Sequence, residues 1–233
     1  DDSLVVSTGA ILGQSFIVGG SGTDTLSFAV DALSVTDADF VGTSSIEVLK
    51  TAKGNNRVIL GANAQTAGIA TVVGGTGRDT LSAAGYSAAN GVVFLNPDVT
   101  DSLVGGAGVD TISSGSNFNM SLSSGVEVLE LTGSATTGTG NSLDNRLIGN
   151  AQANTFVGGE GNDTLEGQGG ADSLVGGAGD DVYIVEDTTA DAIVEDTGAG
   201  TGADTVRSSV NFTLGNNVEN LVYTSTLSGE LTG

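Results

Sequence analysis

The sequence contains no cysteine, no histidine and no tryptophan, and it has a single proline. Without cysteine and histidine the chain can form no disulfide framework, no thiol nucleophile and no histidine-based catalytic triad, and it lacks the usual zinc and haem ligands. No apolar run approaches the roughly 20 residues of a membrane-spanning helix. Aromatic residues make up 4% of the chain, so any core must be thin and aliphatic.

Basic residues are also scarce. The 233 residues include 28 Asp and Glu against 6 Lys and Arg, which gives a formal charge of −22. This balance argues against nucleic acid or an anionic membrane as a partner and favours cations. The 38 glycines could indicate disorder, but Leu, Ile, Val and Phe together make up roughly 27% of the chain, above the level typical of disordered sequences.

The glycines belong to a nine-residue repeat with the pattern G-G-x-G-x-D followed by a short apolar segment. Separate copies of this pattern lie at 19–27, 74–82, 105–113 and, lacking the first glycine, at 200–206. Five further copies run without a break and begin at Gly140, Gly149, Gly158, Gly167 and Gly176. The two that begin at Gly140 and Gly149 carry Asn where the others carry Asp.

This pattern resembles the calcium-binding nonapeptide of the RTX (repeats-in-toxin, haemolysin-type) family. The resemblance implies an all-β fold, a right-handed parallel β-roll or β-solenoid with calcium-binding Gly/Asp-rich turns. It also implies several bound Ca²⁺ ions, export as an unfolded chain by type I secretion from a bacterium, and folding in extracellular calcium. Metal-coupled folding is physically reasonable here because stacked carboxylates repel one another and a thin core offsets little of the ordering entropy.

Two nonapeptides, each with six turn residues and a three-residue strand, make one coil of 18 residues. The sixth residue of one turn then faces the sixth residue 18 positions away, and calcium takes six to eight oxygens from carboxylates and carbonyls. The eighth residue (Leu165, Leu174 and Tyr183) should point into the core. Strands should dominate, helix is not expected, and 83–91 and 134–139 are predicted loops.

The clearest predicted metal pair is Asp163 with Asp181. Asp172 with Asn154, and Asp163 with Asn145, are weaker candidates because an amide oxygen brings no charge. The candidate carbonyl ligands are those of Gly159, Gly161, Gly177 and Gly179. Further candidate ligands, whose stacking partners the spacing does not reveal, are Asp24, Asp79, Asp110 and Asp204, and Asp101 is a candidate degenerate sixth position. The alternative is that these aspartates only cap turns.

We interpret two further groups of acidic residues as structural. Glu186, Asp187, Asp191, Glu195 and Asp196 are predicted to form a solvated face, with extra calcium binding as the alternative. Glu47, Glu127 and Glu219 recur in spacers that begin at Phe40, Phe118 and Phe212, and we expect them to make structural hydrogen bonds rather than to carry out chemistry.

The repeats divide the chain into three predicted regions. Residues 1–139 form an irregular β-solenoid with dispersed motifs and spacer strands, 140–185 form the contiguous β-roll, and 186–233 form a spacer or capping segment that leads into a further repeat. The chain is expected to be part of a longer protein.

The first functional hypothesis is a calcium-dependent structural module of an extracellular or cell-surface protein, such as an adhesin, a surface layer or a filament. It would associate with itself or with other repeats of the same protein, without membrane insertion. The alternative is the C-terminal RTX tail of a secreted enzyme or toxin. No carboxylate pair stands apart from the repeats, so catalysis within this chain is not expected.

Overall fold

The computed structural model describes residues 1–6, 17–31, 33–87, 91–195 and 202–224. Within these ranges the chain forms a β-solenoid of about 11 turns, and strands of successive coils pair side by side. Every strand pairing in the described part is parallel. The predicted all-β parallel solenoid is therefore confirmed.

The strands are short, because a Gly-, Asn- or Asp-rich turn ends nearly every one of them. In chain order they are β1 (Ser3–Val6), β2 (Ile17–Val18), β3 (Thr25–Phe28), β4 (Ser34–Val35), β5 (Thr43–Ser44), β6 (Val48–Lys50), β7 (Arg57–Ile59), β8 (Thr71–Val73), β9 (Thr80–Ser82), β10 (Val93–Leu95), β11 (Ser102–Val104), β12 (Thr111–Ser114), β13 (Phe118–Asn119), β14 (Val128–Leu131), β15 (Thr137–Thr139), β16 (Arg146–Ile148), β17 (Thr155–Glu160), β18 (Thr164–Glu166), β19 (Ser173–Ala178), β20 (Val182–Val185), β21 (Ala192–Val194), β22 (Thr205–Ser208) and β23 (Asn220–Tyr223).

One long sheet forms one wall of the solenoid. Its twelve strands lie in the order β1-β3-β6-β8-β10-β12-β14-β16-β18-β20-β22-β23. The strands between them in the chain form a four-stranded sheet (β11-β9-β7-β4) and a five-stranded sheet (β13-β15-β17-β19-β21), and β2 pairs with β5. From β6 to β22 each coil thus contributes one strand to the long sheet and one to a shorter sheet.

The core is a stack of single inward-facing side chains. Because the strands pair in register, the central residues of the long sheet lie directly above one another, and each is at most 1% exposed: Leu26, Leu49, Val72, Phe94, Ile112, Leu129, Leu147, Leu165, Tyr183 and Val206. Leu174 in the shorter sheet is likewise fully buried. The eighth position of the repeat therefore faces the core, as predicted.

Two local predictions were wrong. A short helix, α1 (Ala62–Ala67), forms because the Asp37 carboxylate accepts hydrogen bonds from the N–H groups of Asn63 (3.2 Å) and Ala64 (2.9 Å) at its first turn. Two 3₁₀ segments, Asp37–Phe40 and Met120–Leu122, also occur. The predicted loop at 134–139 contains strand β15, and part of the loop predicted at 83–91 (88–90) lies outside the described residues.

No helix within the described ranges is both long and apolar enough to cross a membrane.

Candidate metal-binding columns

The residue just before each strand is the last residue of its turn, and in-register pairing stacks these residues into columns. The first column precedes the long sheet and consists of Asp2, Asp24, Glu47, Ala70, Val92, Asp110, Glu127, Asn145, Asp163, Asp181, Asp204 and Glu219. The second column precedes the shorter sheets and consists of Leu33, Asn56, Asp79 and Asp101, then Thr136, Asn154, Asp172 and Asp191.

The columns contain the predicted stacks. Asn145, Asp163 and Asp181 follow one another in the first column, and Asn154 and Asp172 do so in the second, each step spanning 18 residues. These stacking predictions are confirmed. The five residues are at most 3% exposed, so the columns run along the inside of the turns.

The columns also reveal the partners that spacing did not give. Asp24 stacks on Glu47 and Asp110 on Glu127, while Asp204 lies between Asp181 and Glu219 in the first column. In the second column Asp79 lies between Asn56 and Asp101. Asp101 therefore occupies a sixth position, as the sequence indicated.

One hydrogen bond recurs along both columns. At most steps the backbone N–H of a column residue donates to the side-chain oxygen of the residue one coil further on. The distance is 2.7 Å from Asn145 N to Asp163 Oδ1, 2.8 Å from Asp163 N to Asp181 Oδ1 and 2.9 Å from Asp181 N to Asp204 Oδ1. Each aspartate therefore has one oxygen, Oδ1, held by the preceding coil.

The second oxygen of most column aspartates has no such partner. Among the described residues, the Oδ2 atoms of six column aspartates are buried and accept no hydrogen bond: Asp24, Asp79, Asp163, Asp172, Asp181 and Asp204. These residues are 0–2% exposed. Burying a carboxylate oxygen without a partner is costly, so each position calls for a proton or a cation.

Burial changes the ionisation of these carboxyls. It raises the pKa of Asp163 to about 7 and the pKa of both Asp172 and Asp181 to about 6, against the lowering effect of the backbone hydrogen bond that each accepts. Neighbouring carboxylates raise these pKa values further, Asp181 acting on Asp163 and Asp204 on Asp181. Burial likewise raises the pKa of Asp79, Asp110 and Asp204. The chain without metal therefore disfavours the charged form that a cation would bind.

Glycine at the first turn position makes room for the second oxygen. A Cβ on Gly158 would lie 2.2 Å from Asp163 Oδ2, and one on Gly167 would lie 1.9 Å from Asp172 Oδ2. Since real Cβ atoms do not approach an oxygen so closely, any side chain here would displace the carboxylate. The first glycine of the motif therefore preserves the site.

The predicted carbonyl ligands lie between stacked turns. Gly177 and Gly179 have φ values of 115° and 136°, and Cβ atoms on them would lie 2.2 Å from the Gly159 oxygen and 2.1 Å from the Gly161 oxygen. The carbonyls of one turn thus face the backbone of the next, and only glycine allows this approach. A Cβ on Gly158 would lie 2.2 Å from Asp163 Oδ2 and 2.6 Å from the Gly176 oxygen, so a backbone carbonyl of the next turn lies beside that carboxylate.

The donor set suits calcium. It consists of carboxylate and backbone carbonyl oxygens, and the chain has no histidine or cysteine to add an imidazole or thiolate ligand. Hard cations such as Ca²⁺ take six to eight oxygens of these two kinds. Unpartnered Oδ2 atoms beside stacked carbonyls therefore fit Ca²⁺ in kind and in charge.

The asparagines of the columns are hydrogen-bonded differently. The Asn145 Oδ1 accepts from Asn141 N at 2.7 Å, and its amide nitrogen donates to the Val126 and Glu127 carbonyls of the preceding coil, both at 3.4 Å. Asn154 Nδ2 similarly donates to a carbonyl one coil earlier, at 3.1 Å. The amide N–H₂ group of the asparagine thus donates to the carbonyl oxygens of the preceding coil, and these oxygens need no ion. Calcium ligation by Asn145 and Asn154 stays a prediction.

The recurring spacer glutamates make the structural hydrogen bonds expected of them. The Oε2 atoms of Glu47, Glu127 and Glu219 accept from the backbone N–H groups of Asp24 (2.8 Å), Asp110 (2.9 Å) and Asp204 (2.8 Å), respectively. In the spacer coils the glutamate Oε2 therefore accepts the backbone hydrogen bond that Oδ1 of the following aspartate accepts in the repeats.

The solvated-face prediction was wrong for two residues. Asp191 belongs to the second column, where its Oδ1 accepts from Asp172 N at 3.0 Å. Glu195 is 7% exposed and accepts a hydrogen bond from the Tyr183 hydroxyl. A separation of 19 residues from Asp172 was the available signal for Asp191, whereas no repeat pattern marked Glu195. Asp196 lies outside the described residues.

Comparison with known families agrees with the geometry. The sequence model of the RTX calcium-binding nonapeptide repeat matches four times, at residues 66–85, 100–119, 139–174 and 148–183, which together cover less than half of the chain. The chain therefore contains RTX calcium-binding nonapeptide repeats, and these repeats indicate a calcium-binding repeat module. Neither the curated proteins nor the solved structures gave a match.

Proposed function

We propose that the chain is a non-catalytic, calcium-dependent structural module of an extracellular bacterial protein, such as an adhesin, a surface layer or a filament. The chain would leave the cell unfolded by type I secretion and fold on binding Ca²⁺ outside. The observation that supports this is the set of buried, unpartnered Oδ2 atoms along both columns. A fold that buries so many unsatisfied carboxylates gains stability once cations neutralise them.

Individual ions are assigned to gaps between stacked turns. One Ca²⁺ would lie between the turns that end at Asp163 and Asp181, with carbonyls from Gly159, Gly161, Gly177 and Gly179 as candidate ligands. Asp172 would bind a second ion on the opposite edge, where Asp191 follows it in the column. The isolated motifs at Asp24, Asp79, Asp110 and Asp204 would bind further ions.

The proposed organisation follows the coil length. Residues 140–185 would form the unit that depends most strongly on calcium, because its column steps are uniformly 18 residues. Residues 1–139 would form an irregular solenoid with dispersed ion sites, and 186–233 a spacer segment that leads toward further repeats.

A calcium titration followed by circular dichroism tests the folding step. We expect little strand signal in excess chelator, a cooperative gain of strand signal with millimolar Ca²⁺, and no comparable gain with equimolar Mg²⁺, which prefers a smaller octahedral site. A complete strand signal in chelator would contradict the proposal.

Sedimentation velocity at millimolar Ca²⁺ tests the assembly step. Ordered polymers that dissolve in chelator would support the surface-layer or filament role. A chain that folds with calcium and stays monomeric would contradict self-assembly and favour the alternative, a tail that assists export and folding of a secreted enzyme or toxin.

A further inference from the structure

Glu195 lies where the contiguous repeats have glycine. Strands β19 and β21 pair with Val175 opposite Val194, so the next residues, Gly176 and Glu195, occupy the same position of successive coils. At Gly176 a Cβ would lie 2.2 Å from Asp181 Oδ2, which leaves no room for a side chain in that turn. One coil further on, the same position carries a carboxylate.

Three carboxylates meet at this point. Asp181, Glu195 and Asp204 each offer one oxygen, and these three oxygens lie within 4.8 Å of one another. The three residues are 1%, 7% and 1% exposed, respectively. Asp181 and Asp204 are successive members of the first column, joined by the 2.9 Å hydrogen bond from Asp181 N to Asp204 Oδ1. Glu195 therefore adds a third charge to an existing pair.

A second feature indicates a missing ligand. The Oδ2 atoms of both Asp181 and Asp204 are buried and accept no hydrogen bond from any described residue. Neither aspartate forms a salt bridge with a described lysine or arginine. Two buried oxygens without partners beside a third carboxylate form a concentration of negative charge that a bound cation would stabilise.

Tyr183 holds the added carboxylate in place. Its hydroxyl donates a hydrogen bond to Glu195 Oε1, and its ring fills a core position where the preceding coils of the long sheet have Leu147 and Leu165. The hydroxyl also lies at the glycine position of the turn, 2.3 Å from where a Cβ of Gly176 would be. A leucine could fill the core here but could not orient Glu195.

We propose that Asp181, Glu195 and Asp204 form a three-carboxylate Ca²⁺ site, with Tyr183 as a positioning residue that fixes Glu195. This inference rests on the proposed calcium function and extends it to a residue outside the nonapeptide pattern. Since affinity for Ca²⁺ rises with the number of charged ligands, this site binds calcium more tightly than turns with two carboxylates. It lies at the end of the contiguous block, where it would lock the last repeats onto the spacer segment.

Terbium luminescence and calorimetry on the full chain test the site. The chain has no tryptophan and three tyrosines, and tyrosine sensitises Tb³⁺ emission only at short range. We expect Tb³⁺ to give tyrosine-sensitised emission that Ca²⁺ displaces. Glu195→Gln should lower the calcium affinity of the tightest site by about tenfold or more, since it removes one charged ligand without changing shape. The matched control is Glu186→Gln, an exposed residue of the same segment, which should bind like the parent chain.

Tyr183→Phe separates positioning from folding. It should remove most of the sensitised emission and weaken the tightest calcium site by a few fold, while the remaining sites keep their affinities. An equal weakening of every site would instead mean that Tyr183 acts only through the core, and it would overturn the positioning role.

The outcomes separate this inference from the proposed function. If the parent chain binds no Ca²⁺, both fail. If the parent chain binds Ca²⁺ and folds, but Glu195→Gln keeps the same number of ions and the same tightest affinity, the proposed function stands and the three-carboxylate site is wrong.

Discussion

The contiguous repeats and the amino-terminal solenoid both stack turn residues into columns, but the spacing and the charge of those residues differ. In residues 140–185 every column step spans 18 residues, and Asp163 stacks on Asp181 with both Oδ2 atoms unpartnered. Between Asp2 and Asp101 the steps span 22 or 23 residues, and Ala70 and Val92 lie in the first column. The first column therefore carries no carboxylate between Glu47 and Asp110, whereas Asp163 and Asp181 are direct neighbours in the contiguous repeats.

Asn56 shows how one turn of the amino-terminal region satisfies its carbonyls without a cation. Its amide nitrogen donates to the carbonyls of Ala52 (3.0 Å) and Gly54 (2.9 Å) and to Asp79 Oδ1 (3.0 Å). These are the kinds of oxygen that a calcium ion would otherwise hold together. The comparison indicates that a protein group replaces the ion where the repeat is degenerate, so dependence on calcium should differ along one continuous solenoid.

Removal of calcium should have the largest effect, and the effect should be regional. In chelator we expect the amides of 140–185 to lose nearly all hydrogen-exchange protection, because the stacked aspartates repel one another. Amides of strands β6 to β9 should keep a measurable part of theirs. Hydrogen exchange followed by mass spectrometry, with and without Ca²⁺, gives this profile. Uniform loss of protection along the chain would contradict the regional difference, and the same comparison in equimolar Mg²⁺ is the control.

Asn56→Asp should make the amino-terminal region resemble the repeats. The substitution replaces a donor by a charged acceptor beside Asp79 and two carbonyls, so it should destabilise the calcium-free chain by about 1–3 kcal/mol. With calcium the variant should bind one additional ion, measured by calorimetry.

Asn55→Asp is the matched control for that variant. Asn55 is exposed, and its Oδ1 accepts a hydrogen bond from Arg78 N at 3.0 Å, which an aspartate can also accept. An unchanged ion count in Asn56→Asp would show that the turn cannot hold calcium.

Acidification should partly replace calcium in the contiguous repeats, with the smallest effect of the three. Burial raises the pKa of Asp163 to about 7 and that of Asp181 to about 6, whereas an unfolded aspartate titrates near about 3.9. The folded chain without metal therefore binds protons more tightly than the unfolded chain. This contribution to stability is fully present below pH of about 4 and is lost as the pH rises through 6 to 7.

Circular dichroism in chelator checks this prediction. Strand signal should increase between pH 8 and about pH 5, and Asp163→Asn should reduce the increase. Glu160→Gln, an exposed change in the same coil, should leave it unaltered. A strand signal that falls on acidification would contradict the assigned direction.

The contiguous columns could be predicted because their spacing never varies. Asn145, Asp163 and Asp181 follow from the 18-residue period alone. Elsewhere the coils gain or lose residues, so the steps become 17 residues at Asp110, 23 at Asp181 and 15 at Asp204, and a fixed period gives no partner. Stacking on spacer glutamates is therefore visible only in the structure.

The other misses depended on distant contacts. Helix α1 is capped by Asp37, whose carboxylate bonds to amides 26 and 27 residues away, which local propensity does not register. Glu195 stands in an acidic segment that resembles a solvated face, yet the hydroxyl of Tyr183 holds it inside. A tyrosine at a position filled by Leu147 and Leu165 in the two preceding coils was the one local sign that a polar group was needed there.

The central claim is that an ion occupies the gap beside the second oxygen of Asp163. A crystal structure with calcium, with anomalous difference density measured for the ion, tests it most directly. We predict a peak between the turns that end at Asp163 and Asp181, about 2.3–2.6 Å from Asp163 Oδ2. A folded chain with no peak at this place, and with Asp163 Oδ2 hydrogen-bonded to a protein group, would contradict the account.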